Sequence, residues 1–256
     1  MIVIDKLCYQ SNLRYVNAGE KFAFSVLTLL VCVISRSIVI AAIVLAVTGF
    51  LTVYKGQIPL FRYLRLLRLP LVFLFLSTLA IILNFSPDPM DAFAVSIGSI
   101  YITTSYANLR FALQLILTAL ASVSCLYFLS LSTPMTDILE VLKKIHCPAI
   151  LIELMLLIYR FIFILLDIAS AMSLSQKSRL GNRNFRTSCH SFGAIGGMLL
   201  IRALGKSNAL YDAMEARCYD GTIRVLTESH PTRKQEIAWI VFFEIGLIFL
   251  AIFLRI

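Results

Sequence analysis

Two arginines define the chemistry open to this chain. Each closes a helix-forming run: Ser178-Arg179-Leu180 ahead of Gly181, and Ala216-Arg217-Cys218 ahead of Tyr219-Asp220-Gly221. A planar guanidinium on a rigid helix end suits docking onto partner carboxylates, with a two-pronged geometry that lysine lacks. The simpler reading of either arginine is a cation near the carbonyl end of a helix dipole, worth about 0.3–1 kcal/mol. Gly181 and Gly221 would then be ordinary helix stops. Two such ends, 38 residues apart on one basic segment, favour docking.

Catalytic readings have little to stand on. Asp212, Glu215 and Asp220 would be the carboxylates of a rival, a membrane-embedded lipid-headgroup enzyme, and their spacing matches no metal-binding set. His146, His190 and His230 lack ligand spacing and read as polar surface. Nothing resembles a phosphate-cradling glycine loop. The expectation is a protein that is not an enzyme, with no catalytic residue, metal or cofactor of its own.

The elements that carry these ends are apolar. Of 256 residues 59% are hydrophobic and only 14% charged. Soluble domains run at about 45–50% and 25%, so the chain is an integral membrane protein. Its net charge of +9 fits basic cytoplasmic loops rather than nucleic acid, since no aromatic-basic stripe accompanies it. Six cysteines without a repeated spacing read as free thiols. The charged start, with Asp5, Lys6, Arg14 and Glu20, is unlike a signal peptide.

Between Lys21 and Lys55 the only charge is Arg36. One helix over that stretch would be about 50 Å long against a hydrocarbon core of about 30 Å. A hairpin follows: Phe22–Ser35 across, a turn at Arg36, and Ile38–Tyr54 back. Lys55, Arg62, Arg65 and Arg68 then mark an interfacial helix on the cytoplasmic side, which places the N-terminus inside. Pro70 starts a third span, Leu71–Phe85, closed by the turn-rich Ser86–Asp91. Residues 92–106 read as a re-entrant or outer-surface element. Leu109–Leu131 is a fourth span and Ala238–Leu254 the last. Arg36 and Asn84 read as interfacial anchors.

The helix Ile150–Ala171 carries Glu153, Arg160 and Asp167 at intervals of seven, one narrow charged stripe. If it crossed, Ala171–Glu236 would lie outside with ten basic residues against five acidic ones. Positive charge favours the cytoplasm, so this helix is expected to lie under the bilayer or slant into it. A second helix is expected over Phe192–Arg217, with a kink near Gly205–Asn208. The fold class is thus an all-α integral membrane protein with about five transmembrane helices plus cytoplasmic coupling helices. Residues 1–134 hold the N-terminal spans, 135–236 the cytoplasmic section, and 237–256 the C-terminal span.

The run Tyr211-Asp212-Ala213-Met214-Glu215-Ala216-Arg217-Cys218-Tyr219-Asp220-Gly221-Thr222-Ile223-Arg224-Val225-Leu226 resembles the signature of the transmembrane (T) component of energy-coupling-factor transporters. Its Tyr-Asp-Gly-x-Ile-x-x-Leu tail resembles the cobalt/nickel branch more than the vitamin branch. Pro148, Tyr159-Arg160-Phe161 and Asn17–Phe22 are similar to other family features. The resemblance implies two coupling helices ending in Ala-Arg-Gly-like motifs, each docking in one of two ATP-binding cassette ATPases. Those motifs fall on Ser178-Arg179-Leu180 and Ala216-Arg217-Cys218, and Cys218 stands where the family has glycine. It further implies a substrate-binding (S) membrane subunit that captures the ion, ATP bound only by the partners, and the plasma membrane of a prokaryote. Glu153, Arg160, Asp167 and Glu244 are candidate subunit contacts. A vitamin transporter of the same design is the near alternative.

Overall fold

The computed structural model describes residues 3–255, apart from 83, 87–92, 98–99, 105, 222 and 224–230. Its helices are α1 (Val3–Gln10), α2 (Ala18–Ser35), α3 (Ile38–Phe50), α4 (Leu60–Ile82), α5 (Tyr106–Ser132), α6 (Met135–Lys144), α7 (Ala149–Ser178), α8 (Phe185–Glu215) and α9 (Lys234–Arg255). Between α4 and α5 sits a small antiparallel sheet of β1 (Asn84–Ser86), β2 (Phe93–Ile97) and β3 (Ile100–Thr104), with β3 in the middle. Two compact units result: residues 2–138 with 228–256, and residues 139–227.

In the first unit α5 is the central helix, packed on α1, α2, α3 and α4. The hairpin expected at Arg36 is present. Asn17 accepts from Gly19 N–H at 2.8 Å to start α2, and Arg36 ends it in a left-handed turn (φ 46°, ψ 34°). Cys32, Ile40, Val44, Ala121, Cys125 and Leu247 form the core where α2, α3, α5 and α9 meet. Hydroxyls stitch it together. Ser124 Oγ lies 2.6 Å from Thr48 Oγ1 and 2.7 Å from Tyr63 OH, joining α5 to α3 and α4. Such bonds hold helices together where apolar packing alone gives little preference over lipid. The buried Lys21 ammonium donates to Leu13 O at 2.8 Å and to Ser132 O at 2.9 Å, fastening α2 to the carbonyl end of α5.

Pro70 does not start a span. It lies inside α4, which runs unbroken from Leu60 and ends at Ile82, so Phe85 belongs to β1. A proline removes one helical N–H and leaves the carbonyl four residues earlier without its donor. That carbonyl is Leu66 O, and Tyr127 OH of α5 donates to it at 3.3 Å. Residues 92–106 carry β2 and β3 rather than a helix. The turn residues 87–91 lie outside the described residues.

By length and composition five described helices could cross a membrane: α2, α3 with the π-turn after it, α5, α7 and α9. α7, expected on the cytoplasmic side, is therefore also long and apolar enough to span. Glu244 on α9 is 6% exposed, and both its carboxyl oxygens lack a hydrogen-bond partner. Burial inside the chain's own bundle leaves it almost no surface for another subunit.

Tyr127→Phe leaves Leu66 O without its donor and should cost about 1 kcal/mol. The check is the thermal unfolding midpoint in detergent, which falls for Tyr127→Phe and stays put for substitution of the exposed Tyr54.

Candidate functional site

Within residues 139–227, α7 and α8 form an antiparallel hairpin. Arg179 caps α7 at φ −94° and ψ 18°, and Leu180 after it turns left-handed at φ 57°. Leu180 N–H donates to Lys177 O at 3.1 Å and Gly181 N–H to Gln176 O at 2.9 Å. The end of α8 repeats the pattern. Cys218 is left-handed at φ 57°, its N–H reaches Glu215 O at 2.9 Å, and Tyr219 N–H reaches Met214 O at 3.1 Å. This pair of bonds is the Schellman closure, and both arginines occupy the same place in it, directly before the left-handed residue. All six side chains of the two motifs, Ser178-Arg179-Leu180 and Ala216-Arg217-Cys218, are exposed.

The stop residues are therefore Leu180 and Cys218, and not the expected glycines. Each carries a Cβ into a region that costs about 1–2 kcal/mol for an L-residue. Gly181 has a different constraint. A Cβ there would stand 2.7 Å from Ser191 Oγ and 2.9 Å from Gln176 O, while Ser191 Oγ donates to Gly181 O at 2.9 Å. That close approach folds the start of α8 back onto the end of α7. α8 begins at Phe185, seven residues before the expected start, where the Asn184 N–H donates to Thr187 Oγ1 at 3.0 Å and the Thr187 hydroxyl donates to Asn184 O at 2.9 Å. Helical assignment continues through Gly205–Asn208.

The far end of the hairpin is closed by Glu153. Tyr219 OH donates to its Oε2 at 2.7 Å, and Ile223 N–H donates to its Oε1 at 3.1 Å. The carboxylate raises the Tyr219 phenol above its ordinary 10.0, because ionisation would put a second negative acceptor in the same bond. Glu153 thus serves an internal tether. Arg160 is exposed and lines a groove of about 550 Å³ together with Leu156, Leu210, Met214, Arg217 and Asp220. Asp167, also exposed, lies outside that groove. The stripe is thus divided: Glu153 and Arg160 come together with the Arg217 motif, and Asp167 does not.

Arg179 and Arg217 sit at opposite ends. Tyr219 meets α7 at Glu153 in its first turns, whereas Arg179 caps its last, which is roughly 40 Å of helical rise away. One small ligand cannot span both. Among the described residues no group of three His, Cys, Asp or Glu side chains could hold a metal. His146 is the left-handed residue closing α6 (φ 65°), and His230 lies outside the described residues. The sequence reading missed Tyr219 and the Ile223 amide as partners of Glu153, although both stand in the quoted signature run.

The sequence matches known transport proteins. The pattern of the CbiQ family, described as cobalt transport protein, matches residues 10–228. An uncharacterized protein of Methanocaldococcus jannaschii is 32% identical over 249 residues, covering 97% of this chain and 92% of its own. A fused cobalt transport protein CbiMQ of Methanocorpusculum labreanum is 32% identical over 250 residues, 96% of this chain but 41% of the fusion. Cobalt transport protein CbiQ of Salmonella typhimurium is 27% identical over 222 residues, 86% of this chain and 98% of its own.

Cys218→Gly should relieve the left-handed strain and raise stability by about 1 kcal/mol, read from the unfolding midpoint. Alkali should act oppositely. The contribution of the Tyr219–Glu153 bond is complete below the phenol's ordinary 10.0 and disappears as pH rises through the raised folded value. Hydrogen exchange of the Ile223 amide should therefore accelerate in wild type above that pH, and already at neutral pH in Tyr219→Phe.

Proposed function

The chain belongs to the CbiQ family of cobalt transport proteins, and we propose that in it this chain couples ATP hydrolysis on partner subunits to ion import. It is a multi-pass protein of a prokaryotic plasma membrane. In the proposed role Arg179 and Arg217 each dock one ATP-binding cassette ATPase at the cytoplasmic face. Movement of those ATPases acts on α7 and α8, and through them on a separate substrate-binding membrane subunit that holds the cobalt or nickel ion. ATP and its hydrolysis belong to the partners.

The observation that carries this reading is the repetition of one capped arginine end at both tips of a single hairpin. A lone arginine near a helix terminus needs no partner to explain it. Two exposed guanidiniums in the same closure, roughly 40 Å of helical rise apart, suit two similar partner sites better than one. Uncovered apolar side chains along both helices, among them Leu154, Ile158, Leu200 and Leu204, leave room for a further apolar neighbour. The name of the M. labreanum fusion, a cobalt transport protein CbiMQ, supports a second cobalt-transport module working beside this one. Topology in this reading keeps the N-terminus and the hairpin ends in the cytoplasm.

Arg179→Glu combined with Arg217→Glu should abolish co-purification of the ATPases while the chain remains in the membrane fraction. Cobalt uptake in cells carrying the assembled complex should fall to background, with nickel as the competing ion that ranks the cargo. Normal ATPase yield from the double variant would sink the docking assignment. The exposed Cys189 and Cys218 should label with a membrane-impermeant thiol reagent only from the cytoplasmic face.

A further inference from the structure

The groove at the Arg217 end contains a cation that docking through Arg217 alone leaves unused. Arg160 stands on α7 one heptad beyond Glu153 and is exposed. It lines the same groove of about 550 Å³ as Arg217. The floor between them is apolar, from Leu156, Leu157, Leu210 and Met214. Asp220 is the carboxylate among the lining residues, so the lining itself carries two guanidiniums and one acid, with the Glu153 carboxylate already bonded to Tyr219 and Ile223 beside it. Among the described residues neither arginine is in an ion pair. Like charges over an apolar floor repel, and the low-polarity wall strengthens their field. A carboxylate entering the groove meets a lining in which guanidiniums outnumber acids.

We propose that Arg160 is a second docking residue, forming with Arg217 a two-guanidinium groove for an acidic side chain flanked by apolar ones on one ATPase subunit. The proposal rests on the docking reading above and adds to it the chemistry of the partner surface. The occupant is a protein segment for two reasons. The groove is continuous with the docking tip itself, and its apolar floor offers contact area that a bare phosphate or lipid headgroup cannot use. Glu153 keeps the groove shaped by tying Tyr219, which lines it beside Asp220, to the first turns of α7.

The test uses the full assembled complex with a photo-crosslinking residue in place of Asp212, near the Arg217 end, or of Ser175, near the Arg179 end. Arg160→Gln should lower ATPase crosslinking at position 212 about tenfold and leave position 175 within about twofold. Arg160→Lys should recover part of the yield, since it restores charge without the planar fork. Unchanged yield at 212 in Arg160→Gln overturns the proposal. So does an equal loss at 175, which would mean a disturbed hairpin, and so does a loss seen only in anionic-lipid membranes, which would make a headgroup the occupant. A wild-type chain that crosslinks no ATPase at either position refutes the docking reading itself, a result distinguishable from all three.

Discussion

A backbone carbonyl or amide inside a bilayer has no water to turn to, and this structure is arranged around that fact. At several points in the bundle a backbone carbonyl is given a specific side-chain donor. Tyr127 OH reaches Leu66 O beneath Pro70, and the Lys21 ammonium reaches Ser132 O where α5 stops. Ser25 Oγ serves Cys125 O at 2.9 Å. The two exposed arginine tips close without help from side chains, since Leu180, Gly181, Cys218 and Tyr219 fold their amides back onto the last carbonyls. A tip closed in this way presents its arginine from a fixed backbone rather than from a fraying turn.

The two tips share one closure and differ in what supports it. At Arg179 the support is a short contact, Gly181 against Ser191, which admits no side chain at position 181. At Arg217 it is a carboxylate, Glu153, holding a phenol and a backbone amide together. One is steric, local and insensitive to pH. The other is a pair of hydrogen bonds to one carboxylate, long in sequence separation, and lost when the phenol ionises.

Much of this could be read from the residues alone, and the failures have physical causes. The Arg36 hairpin was legible because two apolar runs flank a single charge, and the basic excess of residues 171–236 set the segment carrying α8 apart from the apolar remainder. Pro70 was misread as a boundary because its remedy, Tyr127, lies 61 residues from the carbonyl it serves. The helix stops were assigned to Gly181 and Gly221 since glycine is the usual left-handed residue. Leu180 and Cys218 take that conformation instead, with the cost borne by the surrounding bonds. Glu153 looked like a partner contact because periodicity shows which face a residue is on and not what meets it. Its phenol is 66 residues away. The sheet over residues 84–104 was hidden by a composition that suits a broken helix as well as short strands.

Helical hairpins stretch poorly, since every residue of rise is fixed by a backbone bond. With Glu153 near one end of α7 and Gly181 packed on Ser191 at the other, α7 and α8 are bound to each other at both extremities. A strut of that kind resists shortening along its axis, so a load applied at its ends would turn it as one body instead of compressing it.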